Sequence, residues 1–564
     1  MWATSFDALR LLVALAIGLM LVACGDSARQ DRAGAPVPAS ATLPETQASN
    51  GQVAPASPGS PFGITTYAAA RFLDQASFGP TAQSIAEVKR LGFAGWIDAQ
   101  LASPPEVIDG AVLLNRGPPG VPDPFAGTFL ATQFSRLAIA APGQLRMRAS
   151  WALSQFVVVS QNKVDAFGSV QYANFLMSRV FGSYRDFLRA VTIQPSMGFY
   201  LDNGDNRAAS ACVGCAPNEN YARELLQLFS VGVFKLNADG STQRDAQGNP
   251  LETYTQDDVQ DLARALTGWA YVAQAGLPRE NWANYGKQMV PSRSADHDSG
   301  AKRILGRDIP AGQDAVKDLD SVIAIVMAHP NVAPFVSLRF IQHLVASDPS
   351  PEYIRRIAAV FDNDGTGGKG NLGAVVKAIL LDPEARRGDV PAAASPRAGK
   401  IREPFLATMG RWRGLGCREL PVGVNSTLAA LEFAQQPFIA PSVFSFYLPT
   451  DRAPGSLLLA PEQGMLNGVT LRSRFSDFGY HVDQGSEKIA AAGCNFDEFE
   501  QALIRSPDHF LDLVSARYFR GALPATLRAT AIDLAARSPW MTPRVRAANL
   551  LSYLLLSSSY GAMK

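Results

Sequence analysis

The segment His297-Asp298-Ser299-Gly300-Ala301-Lys302 places a histidine, a carboxylate and a lysine in one short turn. A histidine can carry protons near neutral pH, and a neighbouring carboxylate can orient it. We therefore predict His297 and Asp298 as candidate catalytic residues and Lys302 as a candidate binding residue. The alternative is a histidine that only stabilises the turn. The additional spaced histidines of metal phosphohydrolases are missing, so no metal site is predicted.

A predicted helix opened by Asn218 carries further charges on one face. Tyr221 and Leu225 fall on its apolar arc, and polar residues gather on the other side. Its candidate catalytic residue is Glu224, and its candidate binding residues are Glu219, Asn220 and Arg223. If the polar arc faces solvent, it is an ordinary surface with salt bridges, and each ion pair contributes only tenths of a kcal/mol to stability. If it faces inward, it forms a buried charged network of the kind that perturbs pKa values.

The helix that follows begins at Thr255 with a capping-box pattern, in which Asp258 bonds back to the cap. Asp261 and Arg264 share one face of this helix, and we predict Asp261 as catalytic and Arg264 as binding. We expect one partly buried pocket to be lined by Glu219, Arg223, Glu224, Asp261, Arg264, His297, Asp298 and Lys302.

Other catalytic motifs fail their context tests. Gly365, Gly367 and Gly370 satisfy G-x-G-x-x-G, but a helical pattern precedes them where a dinucleotide site needs a strand. We interpret this segment as a turn between helices, with Asn371 capping the second one. G-x-S-x-G and H-E-x-x-H are absent from the sequence, and no cofactor is indicated.

Helical periodicity dominates the chain, which predicts a mainly α body over residues 64–564 as a single large domain. The predicted helices cover 144–160, 170–180, 184–193, 219–232, 256–269, 315–329, 332–346, 351–361, 372–381, 498–505, 524–537 and 543–557, with further helices before residue 102. Turn-rich clusters between short apolar segments predict a small β-hairpin insertion at 233–254. The Pro-rich region 400–470 is expected to be irregular.

The N-terminal segment predicts export. Leu21-Val22-Ala23-Cys24 closes a short apolar run and resembles the bacterial lipobox, in which the cysteine is lipidated. Residues 1–23 are thus a predicted lipoprotein signal peptide, although a buried apolar helix is the alternative. Residues 24–63 are rich in Pro, Ala, Ser and Gly, so we predict a disordered tether. The protein is then anchored to a membrane through the lipid on Cys24, on the periplasmic side or the cell surface, and Gly25 favours the outer membrane.

Four further cysteines suit an oxidising compartment. An even number in an exported chain predicts two disulfides, most simply Cys212–Cys215 and Cys417–Cys494. A redox-active Cys-x-x-Cys at 212–215 is the alternative, but no strand pattern precedes it. The net charge of +1 and the absence of a basic stripe exclude nucleic acid as an expected partner.

Several segments together resemble a bacterial family known as domain of unknown function number 1800. They are Ala70-Arg71-Phe72-Leu73-Asp74-Gln75-Ala76-Ser77-Phe78-Gly79, the run from Pro217 to Leu226, Asp258 to Trp269, His297 to Lys302 and Pro437 to Tyr447. The resemblance spans about residues 65–560 and implies an exported protein without an established reaction.

Two classes of function remain open at this point. One is an envelope enzyme of unknown reaction whose polar groups meet in one pocket. The other is a non-catalytic lipoprotein that scaffolds the envelope or binds an envelope protein or polysaccharide.

Overall fold

Apolar residues at helical spacing, preceded by capping side chains, build most of the fold in the computed structural model. It describes residues 61–114, 126–273, 285–393, 398–421, 435–471 and 486–564. Residues 56–564 cluster as one unit. Cys24, the predicted signal peptide and almost all of the predicted tether lie outside the described residues.

The helices of the first half are α1 Thr66–Ala76, α2 Ala82–Ala102, α3 Ala126–Ala140, α4 Gln144–Ser154, α5 Ala166–Arg179, α6 Tyr184–Thr192, α7 Pro195–Tyr200, α8 Asn220–Gln227 and α9 Gln256–Ala265. The next are α10 Ala315–Ala328, α11 Val332–Leu344, α12 Pro351–Asp362, α13 Leu372–Leu381, α14 Pro383–Arg387 and α15 Pro404–Gly414. The last are α16 Ser486–Ala491, α17 Asp497–Arg505, α18 Pro507–Tyr518, α19 Ala525–Ala536, α20 Pro543–Leu555 and α21 Ser558–Gly561.

The described strands form three antiparallel pairs. β1 Trp269–Ala270 pairs with β2 Val290–Pro291, β3 Lys302–Ile304 with β4 Arg307–Ile309, and β5 Lys400–Ile401 with β6 Ala562–Met563. The β5–β6 pair joins segments more than 160 residues apart, with Lys400 opposite Met563. The predicted hairpin insertion at 233–254 is confirmed by isolated antiparallel bridges, including Phe234 with Glu252 and Arg244 with Pro250.

The mainly α prediction is confirmed, and so are two of its predicted helix starts. The Thr255 hydroxyl accepts from Asp258 N while the Asp258 carboxylate accepts from Thr255 N, which is the predicted capping box. Asn371 caps α13 by accepting from Ala374 N at 3.2 Å. Each such cap is worth about 1 kcal/mol.

The expectation of irregular structure throughout 400–470 is wrong at Pro404–Gly414. This segment forms α15, and all eleven of its residues are buried. Because no face of the helix meets solvent, its sequence lacks the apolar–polar alternation that predicts a helix. Helices α3 and α18 are also absent from the sequence-based prediction.

Large aromatic side chains from distant parts of the chain meet in the core. Trp151 of α4 lies 4.6 Å from Phe405 of α15 between ring centroids, and Phe134 of α3 lies 5.2 Å from Phe438. Burying one such ring stabilises the fold by roughly 1.5–3 kcal/mol. This cluster therefore joins α3, α4 and α15 to the Pro-rich segment near residue 438.

Both predicted disulfides are present. Cys212 is bonded to Cys215, and Cys417 is bonded to Cys494 across 77 positions of sequence. The pairing agrees with an oxidising compartment, where disulfides persist.

Among the described residues, no single helix has the length and apolar composition needed to cross a membrane. Helices α10 and α11 meet those two criteria only when taken together, with a bend of 77° between them.

Candidate functional site

Three of the predicted site residues form one continuous set of ion pairs. Arg264, near the end of α9, bonds Asp261 Oδ1 through Nη1 at 2.7 Å. The same guanidinium is bidentate to Asp298, with Nε to Oδ2 at 2.9 Å and Nη2 to Oδ1 at 3.1 Å. The i,i+3 spacing of Asp261 and Arg264 is the helical neighbour spacing, so this half of the arrangement follows from sequence.

The lysine of the predicted loop is buried and paired with a residue that sequence analysis missed. Lys302 Nζ lies 2.7 Å from Asp318 Oδ2 and donates to Gly300 O at 2.9 Å. The Lys302 and Asp318 side chains are almost completely excluded from solvent. Asp318 lies in the first turn of α10, where an acidic residue is also expected simply because of the helix dipole.

His297 completes this arrangement, which we call the loop network: Asp261, Arg264, His297, Asp298, Lys302 and Asp318. The imidazole is buried, and it lies between the Thr267 carbonyl and the Asp318 carboxylate. Its backbone also packs against Gly268, where a Cβ atom would lie 2.8 Å from His297 Cβ. Gly268 has a φ of 84°, which glycine adopts without strain.

The acceptors of the loop network are also used by the backbone. Asp261 Oδ2 accepts from Arg303 N at 2.6 Å, and Asp298 Oδ1 accepts from Gly300 N at 2.9 Å. Burial acts to raise the pKa of Asp298, but hydrogen bonds from Arg264 and Gly300 outweigh it and lower that pKa. The network thus ties α9, β3 and α10 together through charges that satisfy one another. None of its side chains lines the cavities described below.

Glu219 and Arg223 lie apart from the loop network, in a solvent-accessible group. Arg223 Nη2 bonds Glu219 Oε2 at 2.9 Å, and Gln256 Nε2 donates to the same oxygen at 2.7 Å. Both side chains of the ion pair are about a third or more exposed. Such pairs contribute at most about 1 kcal/mol.

Glu224 differs from its neighbours on α8 because it is buried. It is only 8% exposed, and its Oε2 atom has no hydrogen-bond partner. Burial raises the pKa of Glu224, and the charge of Arg223 offsets that effect only in part. A buried carboxyl with a raised pKa is suited to hold a proton where most carboxyls are ionised.

Asn220, at the start of α8, connects the predicted residues to a cavity. Its side-chain amide donates to Asp202 Oδ2 at 3.0 Å, while Lys163 Nζ bonds Asp202 Oδ1 at 2.6 Å. Asp202 is thereby held from two sides at the rim of an open cavity of about 470 Å³, which we call the loop pocket. The loop pocket is lined by Gly198, Phe199, Asp202, Gly204, Asp205, Asn206, Arg207, Gly214, Cys215, Ala216, Asn218 and Tyr271.

The backbone of the loop pocket has an uncommon conformation. Asp202 and Asp205 have φ angles of 61° and 56°, in the left-handed region that L-residues seldom adopt. Between them, Gly204 lies against Tyr271, and a Cβ atom there would be 2.1 Å from the Tyr271 hydroxyl. Strained positions of this kind cluster at functional sites and persist because the surroundings hold them.

Two bonds and one disulfide hold the opposite wall of the loop pocket. Asn206 Oδ1 accepts from Asn218 N at 2.8 Å, and Asn206 Nδ2 donates to Asn218 O at 3.4 Å. The Cys212–Cys215 disulfide closes the segment in between, and Cys215 itself lines the cavity. The wall is therefore fixed at both ends.

A second charged cluster was not predicted from the sequence. Lys400 Nζ lies 2.7 Å from Glu403 Oε1 and 3.2 Å from Glu462 Oε1, and Tyr447 donates to Glu403 at 3.2 Å. Burial acts to raise the pKa of Glu403, but the charge of Lys400, its hydrogen bond and the other neighbouring cations together outweigh burial and lower that pKa to about 2. Burial lowers the pKa of the adjacent His343 to about 3.

The contacts of the Lys400 cluster indicate a structural role. Its acceptors are also occupied by Gln435 Nε2, 2.8 Å from Glu403 Oε2, and by Ser347 Oγ, 2.9 Å from Glu462 Oε2. The cavity lined by His343 and Tyr447 holds only about 30 Å³, the space of one water molecule. The only feature of the sequence that could have indicated this cluster is the group of charged residues at 400–403, which precedes a helix without a polar face.

Within the described ranges, no group of three or more His, Cys, Asp and Glu side chains is arranged to hold a metal ion.

Comparison with known proteins gives one match. The model of a family described as "Protein of unknown function (DUF1800)" matches residues 71–561. No curated protein and no solved structure matches the chain.

Proposed function

The chain belongs to this family of unknown function, since the match covers most of its length, and from that premise we propose that it is an exported, lipid-anchored protein that binds an envelope polysaccharide in the loop pocket. The observation that carries the proposal is the lining of that pocket. Carboxylates, side-chain amides and an arginine surround an open cavity that aromatic rings also reach. Sugar hydroxyls both donate and accept hydrogen bonds, so they suit this mixture of groups.

The fixed position of the polar groups supports binding. Asp202 is held by Lys163 and Asn220, and Asn206 is held by the backbone of Asn218. Groups that are already ordered lose little entropy when a ligand binds. The ring of Phe199, which is half-buried in the lining of the loop pocket, offers an apolar surface of the kind on which a sugar ring can pack.

Export and anchoring rest on the sequence and agree with the disulfides. The lipobox at Leu21–Cys24 would place the lipid on Cys24, and the Pro/Ala/Ser/Gly-rich segment after it would separate the body from the membrane. Two disulfides are expected of a protein that matures outside the cytoplasm. A polysaccharide of the envelope is the ligand such a location makes accessible.

An enzymatic function is the second candidate, and Glu224 is the observation that favours it. Asn220 and Glu224 are four residues apart on α8, so they are neighbours on the helix surface. Asn220 bonds Asp202 of the loop pocket, and Glu224 is buried with one unpartnered oxygen. A carboxyl whose pKa is raised by burial, as that of Glu224 is, is a common feature of a general acid.

The binding experiment compares two carboxylates. Purified full-length protein in detergent is applied to an array of bacterial envelope oligosaccharides, and Kd values are measured for those retained. Asp202→Asn keeps a side chain that tolerates the left-handed backbone but removes the charge, and we expect Kd to rise about tenfold. The control is Asp257→Asn, an exposed charge of α9, which should leave Kd unchanged. No retention by the wild type, or equal Kd values for both variants, contradicts the proposal.

The same oligosaccharides test the enzymatic candidate. If the protein hydrolyses a bound oligosaccharide, Glu224→Gln should abolish product formation while the ligand still binds. Glu219→Gln, in the partly exposed ion pair just before the same helix, should retain activity. Absence of product from every bound oligosaccharide leaves the binding function alone.

A further inference from the structure

A second cavity, of about 310 Å³, lies where the C-terminal segment meets α1 and the start of α15. Its polar lining consists of Tyr67, Arg402, Tyr518, Arg520, Ser558, Ser559 and Lys564. Three of these residues are cationic, and none of the residues that line the cavity has a carboxylate side chain. This composition differs from that of the loop pocket, which has two aspartates.

The two guanidinium groups are fixed by one shared carboxylate. Arg402 Nη1 lies 3.1 Å from Asp74 Oδ1, and Arg520 bonds Asp74 Oδ2 through Nε at 2.9 Å and Nη2 at 2.7 Å. Burial acts to raise the pKa of Asp74, but the charges of Arg402 and Arg520 outweigh it and lower that pKa. Asp74 therefore remains ionised, and Lys564 O accepts a further hydrogen bond from Arg520 Nη1 at 2.9 Å. These two acceptors offset only part of the positive charge that Arg402, Arg520 and the Lys564 ammonium bring to the cavity wall.

An aromatic ring also lies over the face of each guanidinium group. Arg402 is only 4% exposed, its guanidinium lies 4.4 Å from the Tyr560 ring centroid, and its Nε donates to Tyr560 O at 3.2 Å. Arg520 lies 5.8 Å from the Tyr67 ring centroid. Guanidinium groups ordered in this way before a ligand arrives recognise phosphate oxygens by paired hydrogen bonds.

We propose that this cavity binds the phosphate group of a small phosphorylated molecule, with Arg402 and Arg520 on the phosphate and the Lys564 ammonium completing its charge. The hydroxyls of Ser558 and Ser559 supply further donors at the wall. A volume of about 310 Å³ is at the lower end of the range for small-molecule sites, which suits a phosphate ester better than a bare ion. The site is independent of polysaccharide binding in the loop pocket.

Phosphate esters reach an envelope protein from two sources, free metabolites and lipid headgroups, and two soluble probes distinguish them. Glycerol 3-phosphate is a monoester, and glycerophosphoglycerol is the diester headgroup of a phospholipid without its acyl chains. Binding of either probe to the full-length protein is measured by isothermal titration, with glycerol as the uncharged control. Tighter binding of the monoester assigns the site to a metabolite, and tighter binding of the diester assigns it to a lipid headgroup.

Variants of the lining cations test the location. Lys564→Gln removes an exposed charge without breaking a buried contact, so it should fold normally and raise Kd about tenfold. Arg520→Gln should have a larger effect, and its melting temperature shows whether it has folded. The matched control is Lys317→Gln, an exposed lysine of α10, with unchanged Kd. Failure of both probes to bind at millimolar concentration, or wild-type affinity in Lys564→Gln, overturns the proposal.

Discussion

His297 Nε2 lies 3.2 Å from Asp318 Oδ2, the same oxygen that Lys302 Nζ contacts at 2.7 Å. The other ring nitrogen, Nδ1, lies 3.0 Å from the carbonyl oxygen of Thr267, which can only accept a hydrogen bond. His297 Nε2 has no hydrogen-bond partner among the described residues, so the contact of Nδ1 with Thr267 is the one that orients the ring. Asp318 Oδ2 is therefore approached by both side chains, and Lys302 is its ion-pair partner.

Replacing His297 tests whether this contact stabilises the fold. His297→Ala should cost about 1–3 kcal/mol, because it removes a buried ring that lies between the Thr267 carbonyl and the Asp318 carboxylate, while Lys302 remains on Asp318. The melting temperature, followed by circular dichroism, should fall accordingly. His509→Ala removes an exposed histidine and should change it little. Equal melting temperatures for the two variants would show that the loop network does not depend on His297.

The pair of Lys302 and Asp318 should behave as a buried ion pair. Lys302→Met leaves the Asp318 charge poorly compensated, and we expect a loss of about 3–5 kcal/mol. The double variant Lys302→Met/Asp318→Leu should recover much of that loss, since no uncompensated charge remains. Lys317→Met, one residue before Asp318 but exposed, is the control. Additive losses in the double variant contradict the buried pair.

Gly204 should be intolerant of any side chain. In Gly204→Ala the new Cβ would collide with the Tyr271 hydroxyl, 2.1 Å away, so the ring must move. Overpacking of this kind costs about 1–3 kcal/mol, and displacing Tyr271 should also weaken ligand binding in the loop pocket. Gly127→Ala, in α3 with open space around it, should be neutral or slightly stabilising. Melting temperature and Kd are the two measurements.

Stability should decline as the pH falls, and Glu403 should account for part of that decline. The pKa of Glu403 is lowered to about 2 in the folded protein, whereas an unfolded glutamate has a pKa near 4.3. A lowered folded-state pKa stabilises the protein above the unfolded pKa, and this stability is lost as the pH falls towards 2. Glu403→Gln should therefore be less stable at pH 7 but show a flatter dependence between pH 5 and 2. Glu352→Gln, exposed on α12, should reproduce the wild-type curve.

Membrane attachment should depend on the side chain of Cys24. Cys24→Ala removes the cysteine that we propose to be lipidated, so the variant should incorporate no labelled fatty acid and leave the membrane fraction. Cys417→Ser/Cys494→Ser, which removes a disulfide of the body, should leave lipid labelling intact. Unchanged membrane attachment of Cys24→Ala refutes the lipoprotein assignment.

Local sequence information was sufficient for several of these features. The capping box at Thr255 and the contact of Asp261 with Arg264 depend on residues three apart, so the helical period alone predicts them. The predicted loop at 297–302 contacts the end of α9 through Arg264 and Thr267, which are about thirty positions away. The resemblance of several segments of the chain to a known family also identified that family correctly.

Burial of individual side chains was not predictable in the same way. A helical wheel places Arg223 and Glu224 on one polar arc, yet Arg223 meets solvent and Glu224 does not. The difference is set by which elements pack against α8, and the sequence of α8 does not contain that information. For the same reason the Lys400 cluster was missed, because Glu403 and Glu462 are brought together only by the tertiary fold.

The disulfide between Cys417 and Cys494 has a consequence for proteolysis. It spans 77 positions, so a single cut of the chain anywhere inside that interval leaves the two fragments covalently joined. A nicked molecule would migrate as one species on a gel without reductant and as two after reduction. A single cut in this part of the protein therefore need not separate its C-terminal helices from the rest of the body.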